Sequence, residues 1–120
     1  MLVARAIGGM DIGQGAVSCD GLILAVEAQE GTDAMLRRVA TLPSAIRGVL
    51  GARRGVLAKA CKPRQEERID LPTIGPTTVR AASEAGLAGI VGEAGRLLIL
   101  DQPTTIALAD SLGMFLVGLA

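Results

Sequence analysis

Residues 59–75 read K-A-C-K-P-R-Q-E-E-R-I-D-L-P-T-I-G, the most charge-dense stretch of the chain. Two lysines precede its first proline, and two arginines and three carboxylates stand between that proline and the second. The pattern before this stretch is typical of a β-strand, and the pattern after it is typical of a helix. Functional loops of α/β proteins lie at such junctions. We therefore expect an α/β fold whose chemistry on a charged substrate lies in this segment.

Upstream of that segment, the dipeptide Asp20-Gly21 separates two apolar runs, residues 16–19 and 22–28. Asp-Gly is typical of the tight turn of a β-hairpin, because both turn positions need a positive φ angle. The second run is apolar on both faces until Glu27, which predicts a central strand. Residues 6–15 contain several glycines and are expected to form a loop, or a strand that lies close to other backbone.

A helix is predicted next, because apolar residues recur at helical spacing across residues 35–42 and Pro43 ends the run. Thr32 or Asp33 is placed to cap its first turn. The later patterns alternate in the same way. They predict strands at 56–61, 87–91, 96–100 and 114–119, and helices from Pro76 to the Gly86 stop and at 104–112. The order β-β-α-β-α-β-β-α-β predicts one α/β domain over residues 1–120, a mixed β-sheet with helices packed against it.

Composition excludes several kinds of function. The 120 residues include one aromatic residue and no histidine, and 12 basic residues balance 12 acidic ones. We therefore expect no nucleic-acid partner, no histidine-based catalysis and no nucleotide-binding glycine motif. Cys19 and Cys61 are expected to be reduced. No apolar run approaches the roughly 18 residues that span a bilayer, so we expect a cytoplasmic protein.

The remaining polar residues suit Mg²⁺ and a phosphate-bearing substrate. Asp70 precedes an extended Leu-Pro pair, so it is a candidate magnesium ligand or the residue that orients the attacking water. A solvated turn residue is the alternative for Asp70. The helix that follows can bind an anion at its start. The expected phosphate-binding groups are Lys59, Lys62, Arg68, Thr73 and Gly75.

A second acidic cluster, Glu27, Glu30 and Asp33, lies at the turn into the first predicted helix. Capping and compensation of the helix dipole is one interpretation of Asp33. The alternative for the whole cluster is a second arm of the metal or substrate site. Asp11 and Gln14 in the glycine-rich segment are candidates for the same cleft. The arginines at 37, 38, 53 and 54 are interpreted as solvated.

Taken together, these motifs resemble the LpxI-type UDP-2,3-diacylglucosamine pyrophosphatases of lipid A synthesis. The similarity runs in order along nearly the whole chain. The matching segments are A-I-G-G-M-D-I-G-Q-G (6–15), A-V-E-A-Q-E-G-T-D-A-M-L-R-R (25–38), K-A-C-K-P-R-Q-E-E-R-I-D-L-P-T-I-G-P-T-T (59–78), A-G-L-A-G-I (85–90) and G-M-F-L-V-G (113–118).

The resemblance implies Mg²⁺-dependent hydrolysis of a UDP-diacylglucosamine lipid to lipid X, which is 2,3-diacylglucosamine 1-phosphate, and UMP. It implies that Asp70 is the essential aspartate, and that Thr32, Asp33, Lys59 and Lys62 belong to the site. Arg64 and Glu66 depart from the family pattern K-P-G-Q-D.

Only the C-terminal half of that family is matched, so the resemblance implies either a fragment of a longer enzyme with a Rossmann-like N-terminal half or a stand-alone domain. The expected partners are therefore the lipid substrate and that N-terminal half. Apolar residues that would face that half are expected to drive self-association into a homodimer. The lipid substrate implies peripheral contact with the inner membrane. The alternative is a non-catalytic domain that binds a phosphosugar lipid or only dimerises.

Overall fold

A computed structural model describes residues 1–63 and 69–120, with backbone alone at Pro63, Ile69 and Asp70. Within these residues, helices and short strands alternate much as the sequence predicts, with one additional helix at the start and additional short strands around residues 62–74. The helices are α1 (Leu2–Gly9), α2 (Thr32–Ala40), α3 (Pro76–Glu84) and α4 (Gln102–Leu112). The strands are β1 (Gly15–Cys19), β2 (Leu22–Val26), β3 (Val56–Lys59), β4 (Lys62–Pro63), β5 (Ile69–Asp70), β6 (Thr73–Ile74), β7 (Gly89–Glu93), β8 (Leu98–Ile99) and β9 (Phe115–Leu119).

The main sheet has five strands in the order β2-β1-β3-β7-β9. β1 pairs antiparallel with β2 and β3, while β7 pairs parallel with both β3 and β9. Parallel neighbours need a long connection, and α3 and α4 supply it between β3 and β7 and between β7 and β9. The expected mixed sheet of an α/β domain is confirmed.

The predicted hairpin is present, but its second strand lies at the edge of the sheet. Asp20 and Gly21 have φ angles of 50° and 83°, as a turn of this kind requires. The expectation of a central strand was wrong, because β2 pairs only with β1 and leaves Leu22 and Ile23 about half exposed, at 52% and 49%. A run of apolar residues occurs in central strands and in edge strands with a partly uncovered face, so the pattern alone does not separate them.

The hydrophobic core lies between the sheet and helices α2, α3 and α4. The register aligns Val17 with Leu57 and Leu57 with Ile90, and all three side chains are fully buried. Met35 and Val39 of α2 pack into the same cluster, which confirms the predicted helical stripe. Each such side chain contributes roughly 1.5–3 kcal/mol of hydrophobic stabilisation. This core therefore fixes the position of β3, the central strand.

Helix α1 covers part of the opposite face of the sheet. The expectation of a loop or strand for residues 6–9 was wrong, since they complete this helix. Ala4 packs on Ala58 and other small residues, so the helix backbone lies close to the sheet. At Gly8 a Cβ atom would stand 2.6 Å from the carbonyl oxygen of Cys61. The predicted close approach to other backbone is thus real, but a helix makes it.

The same face of the sheet remains apolar and open along β9. Phe115, Val117 and Leu119 alternate along the strand and are 42%, 43% and 39% exposed. Parallel strands are normally covered on both faces, so this stretch is an apolar surface that the described residues leave uncovered.

Arg53 is partly buried, so the interpretation of this arginine as solvated was wrong. Arg37 and Arg38 are exposed as expected, and the Arg54 side chain is 40% exposed. The Arg53 guanidinium donates to the carbonyl oxygens of Ser83 at 2.9 Å and Leu112 at 3.2 Å, near the ends of α3 and α4. A cation at helix C-termini satisfies free carbonyl groups and compensates the helix dipoles. Arg54 donates to the Asp20 carboxylate at the hairpin turn.

The segment at 96–100 also differs from its predicted role. β8 does not continue the main sheet but pairs in parallel with β6, so the two form a separate small sheet. The Cα radius of gyration, 13.4 Å, is about that of one domain of this length. Across the described ranges, no helix is both long enough and apolar enough to cross a membrane.

Adjacent glycines of α1 provide a test of how this helix packs on the sheet. We expect Gly8→Ala to lower the free energy of unfolding by about 1–3 kcal/mol, because the added methyl group meets the Cys61 backbone. Gly9→Ala is the matched control, since a Cβ there meets nothing within 4 Å. It should be neutral or stabilising by up to about 1 kcal/mol. Urea unfolding measures both, and equal effects would contradict the close approach.

Candidate functional site

The candidate site lies at the carboxyl end of β3, the central strand. Lys59 is the last residue of β3, and Lys62 follows in β4, which pairs with β5 so that Lys62 stands opposite Asp70. The carboxyl end of the parallel neighbour β7 lies at the same edge of the sheet. Ligands of α/β proteins bind at this edge.

Lys59 is buried in a network with Glu27 and Thr32. Its Nζ lies 3.4 Å from Glu27 Oε2 and donates to Thr32 Oγ1 at 2.5 Å. The Thr32 hydroxyl in turn donates to Glu27 Oε2. Lys59 is 3% exposed and Glu27 7%, so both charged groups of this network are buried.

Three elements bring this network together. Glu27 immediately follows β2, Thr32 opens α2, and Lys59 ends β3. A lone buried charge is strongly unfavourable, so an ammonium group at this depth needs an adjacent carboxylate. The predicted capping role of Thr32 or Asp33 was wrong, because Gly31 is the N-cap of α2 and makes no side-chain cap. The Thr32 hydroxyl is used by Glu27 and Lys59 instead.

The glycine-rich segment encloses the same network. The backbone N–H of Gln14 donates to Glu27 Oε1 at 3.4 Å, and the backbone carbonyl oxygen of Gln14 accepts the Ala60 N–H at 2.8 Å. A Cβ atom at Gly13 would stand 2.1 Å from the carbonyl oxygen of Glu27. Gln14 thus contacts this network through its backbone, and its role in a substrate cleft stays a prediction.

Lys62 has an exposed partner. Its Nζ lies 3.0 Å from Asp11 Oδ1, and the two side chains are 20% and 80% exposed. Asp11 and the Asp70 backbone are thus both neighbours of Lys62, and the role of Asp11 in a substrate cleft stays a prediction. The expected contribution of Arg68, and the unusual residues Arg64 and Glu66, lie outside the described residues.

Glu93 anchors the loop that links the two lysines. Its carboxylate accepts the Cys61 N–H at 3.1 Å and the Arg5 Nε–H at 3.2 Å. Burial alone would raise the pKa of Glu93, but these donors together lower it from its ordinary value of 4.5. Burial, with the charge of Glu93 beside it, raises the pKa of the Cys61 thiol. Cys19 and Cys61 are both free thiols, as predicted.

The remaining candidate residues make none of the described contacts with Lys59 or Lys62. Asp33 lies partly buried in the first turn of α2, and within the described part of the chain no ion pair or hydrogen bond joins its carboxylate to the site. Thr73 is exposed on β6. Gly75 is the N-cap of α3, and its N–H is bonded to Thr78 Oγ1 at 3.3 Å. The predicted anion site at α3 stays a prediction.

The described ranges contain no cluster of three or more acidic, cysteine or histidine residues that would hold a metal ion by themselves. Mg²⁺ is often held by one or two carboxylates together with substrate phosphates. The pairing of Asp70 with Asp33 as metal ligands therefore stays a prediction.

Comparison with known proteins identifies the family of the chain. The chain matches the LpxI C-terminal domain over residues 1–117. The chain belongs to that family. It is also 70% identical over 116 residues to the UDP-2,3-diacylglucosamine pyrophosphatase LpxI of Caulobacter vibrioides (strain ATCC 19089 / CIP 103742 / CB 15). The match covers 97% of this chain and 41% of that relative, so the chain spans less than half of the relative's length.

Two residues of this LpxI C-terminal domain make contacts at the candidate site that the sequence did not predict. Glu27 belongs to the second acidic cluster, but its pairing with Lys59 depends on the positions of β2 and β3. Glu93 lies between the strands predicted at 87–91 and 96–100, so the sequence indicated a turn there. Its signal was available, because it is a charged residue at the carboxyl end of a parallel strand.

The lowered pKa of Glu93 predicts a pH-dependent contribution to stability. The folded protein holds this proton less tightly than the unfolded chain, so the contribution is present above the ordinary pKa and is lost as the pH falls through the lower folded-state pKa. We expect Glu93→Gln to reduce the free energy of unfolding by about 1–2 kcal/mol near pH 7 and by less near about pH 3. Urea unfolding at the two pH values measures this.

The control for that experiment is Glu84→Gln, since Glu84 is an exposed residue of α3. Its effect should stay within about 0.5 kcal/mol at both pH values. A Glu93→Gln loss that is equal at both pH values would contradict the charged hydrogen bonds.

Proposed function

We propose that this domain is the catalytic C-terminal part of a UDP-2,3-diacylglucosamine pyrophosphatase. It would hydrolyse the pyrophosphate bond of the lipid nucleotide to 2,3-diacylglucosamine 1-phosphate and UMP. The observation that carries the proposal is the 70% identity with a relative that bears this name. The position of the two lysines supports it independently.

Lys59 and Lys62 are the only lysines of the chain, and both lie at the carboxyl end of β3. Hydrolysis of a pyrophosphate depends on the placement of the reactants and on stabilisation of phosphoryl charge. A buried cation and a partly exposed one, three residues apart, supply fixed and adaptable positive charge. Arg68, Thr73 and the N–H groups after Gly75 are proposed as further donors to the phosphates.

Asp70 is proposed as the residue that orients the attacking water. Its backbone stands opposite Lys62, so it belongs to the same edge of the fold. In the proposed step the water oxygen bonds to the phosphorus on the sugar side. The bond from that phosphorus to the bridging oxygen breaks, UMP leaves with that oxygen, and the water proton is released.

Mg²⁺ is proposed as the cofactor, and its chemistry fits the donors present. Carboxylate oxygens, which hard cations prefer, are supplied by Asp11 beside Lys62 and are proposed from Asp70 and Asp33. Bound Mg²⁺ would neutralise phosphoryl charge. Asp70 would hold it, with Asp33 as a second candidate.

Two partners are proposed besides the lipid. The first is an N-terminal half of the same enzyme, because the relative is more than twice as long as the matched segment. The second is another copy of the domain, in a homodimer. The open apolar surface of Phe115, Val117 and Leu119 supports association of either kind. A cytoplasmic enzyme in peripheral contact with the inner membrane is the proposed setting.

The alternative is a domain that binds the phosphosugar lipid without cleaving it. This alternative is favoured because the match covers only 41% of the relative's length. Titration of the 120-residue chain with 2,3-diacylglucosamine 1-phosphate, beside an assay of UMP release with Mg²⁺, separates the two. Binding without turnover supports the alternative or a need for the other half. Turnover by the chain alone would show that no other half is required.

Asp70→Asn tests the proposed mechanism. The suitable protein is a chimera in which this chain replaces the matched segment of the Caulobacter relative. We expect a loss of at least about 100-fold in kcat for UMP release, because the water loses its orienting group. Asp110→Asn, on the exposed side of α4, is the matched control and should keep full activity. Undiminished turnover by Asp70→Asn would remove Asp70 from the mechanism.

A further inference from the structure

Glu27 is a buried carboxylate that the proposed mechanism does not use. It is 7% exposed and has partners on both of its oxygens. It lies between the glycine-rich segment, the start of α2 and the end of β3. Its role must therefore be sought in what it does to its neighbours.

We propose that Glu27 is a positioning residue that keeps Lys59 charged and fixed at the carboxyl end of β3. The inference rests on the proposed function, since it assigns Lys59 a static cation's part in stabilising phosphoryl charge. Glu27 acts through Lys59 and does not touch the substrate.

The first support is the depth of the charge. Lys59 is 3% exposed, and its Nζ has Glu27 Oε2 at 3.4 Å. A lysine buried without a counter-charge favours its neutral form. A neutral amine stabilises phosphoryl oxygens far less than an ammonium group does. The carboxylate therefore maintains the charge that the proposed reaction uses.

The second support is the way the carboxylate itself is held. The Thr32 hydroxyl and Lys59 both donate to Oε2, while the backbone N–H of Gln14 donates to Oε1 at 3.4 Å. Lys59 also donates to Thr32 Oγ1, which closes the triangle. Groups from three elements thus fix both oxygens and the ammonium, so little reorganisation is needed when phosphoryl charge develops.

The third support is the contrast between the two lysines. Lys62 pairs with Asp11, whose side chain is 80% exposed, so this cation can exchange its partner for a phosphate at small cost. If Lys59 moved away from Glu27, a buried carboxylate would be left without this counter-charge. Lys62 is therefore suited to binding, and Lys59 to a fixed electrostatic role.

The two-lysine composition gives a readout that does not depend on turnover. Acetylation at neutral pH followed by mass spectrometry compares the labelling rates of Lys59 and Lys62 in the 120-residue chain. In Glu27→Gln we expect the ratio of Lys59 to Lys62 labelling to rise at least about fivefold, because only the neutral amine reacts. Asp11→Asn is the matched control, which should leave Lys59 labelling unchanged. An unchanged ratio in Glu27→Gln would overturn the proposal.

Turnover of the chimera tests the role in the reaction. We expect Glu27→Gln to lower kcat about 10- to 100-fold with KM changed less than about threefold. In a Lys59→Met background, Glu27→Gln should reduce kcat no further, because Glu27 acts only through Lys59. A purely structural role would instead lower the fraction of folded enzyme and add to the effect of Lys59→Met. Full kcat in Glu27→Gln would overturn the proposal.

A second variant covers the case in which Glu27→Gln fails to fold. Thr32→Val removes one donor of the network while keeping the side-chain volume, and it should lower kcat in the same direction by a smaller factor. Unchanged kcat in both Thr32→Val and Lys59→Met, in a chimera that Asp70→Asn inactivates, would overturn the inference and leave the proposed function intact. An inactive parent chimera would overturn the proposed function, while the labelling ratio still decides whether Glu27 controls the charge of Lys59.

Discussion

The buried ion pair of Lys59 and Glu27 is the constraint on which the site depends. An ammonium group at 3% exposure is stable only where a carboxylate reaches it, and this one comes from the far end of β2 across the intervening strand β1. The hairpin, the start of α2 and the end of β3 must therefore keep their relative positions. The glycine-rich segment follows from this requirement, because a side chain at Gly13 would collide with the Glu27 backbone.

A second set of charged contacts positions the loop beyond β3 from the other side. Glu93 at the end of β7 binds the backbone of Cys61 and the guanidinium of Arg5 on α1. The segment that carries Lys59 and Lys62 is thus held by two carboxylates. Glu27 follows β2 and binds Lys59, and Glu93 ends β7 and binds the Cys61 backbone. Lys59 is enclosed on the side of the helical layer, whereas Lys62 faces its partner at the surface. Two identical side chains three residues apart acquire different properties from their surroundings alone.

The sequence allowed most elements of the fold to be predicted where the pattern was local. The Asp20-Gly21 turn, the stripe of α2 and the start of α3 at Pro76 each depend on a few neighbouring residues, and all are present. The errors have a common cause. The central placement of β2, the capping role of Thr32 and the solvated interpretation of Arg53 all required knowledge of what packs against them. Helix α1 was missed because its glycines suggested a loop, although a helix that packs on alanines tolerates them.

The sequence by itself determined the family and the mixed α/β class and pointed to the region of the candidate site, because composition and motifs are properties of the chain. It also restricted the chemistry to lysines, arginines and carboxylates by lacking histidine. Tertiary structure alone decided that Glu27 belongs to Lys59, that Asp11 belongs to Lys62 and that Glu93 holds the loop between them. These pairs are separated by 32, 51 and 32 positions in the chain. Their electrostatic energy depends on distance and burial, which only the packed sheet and helices define.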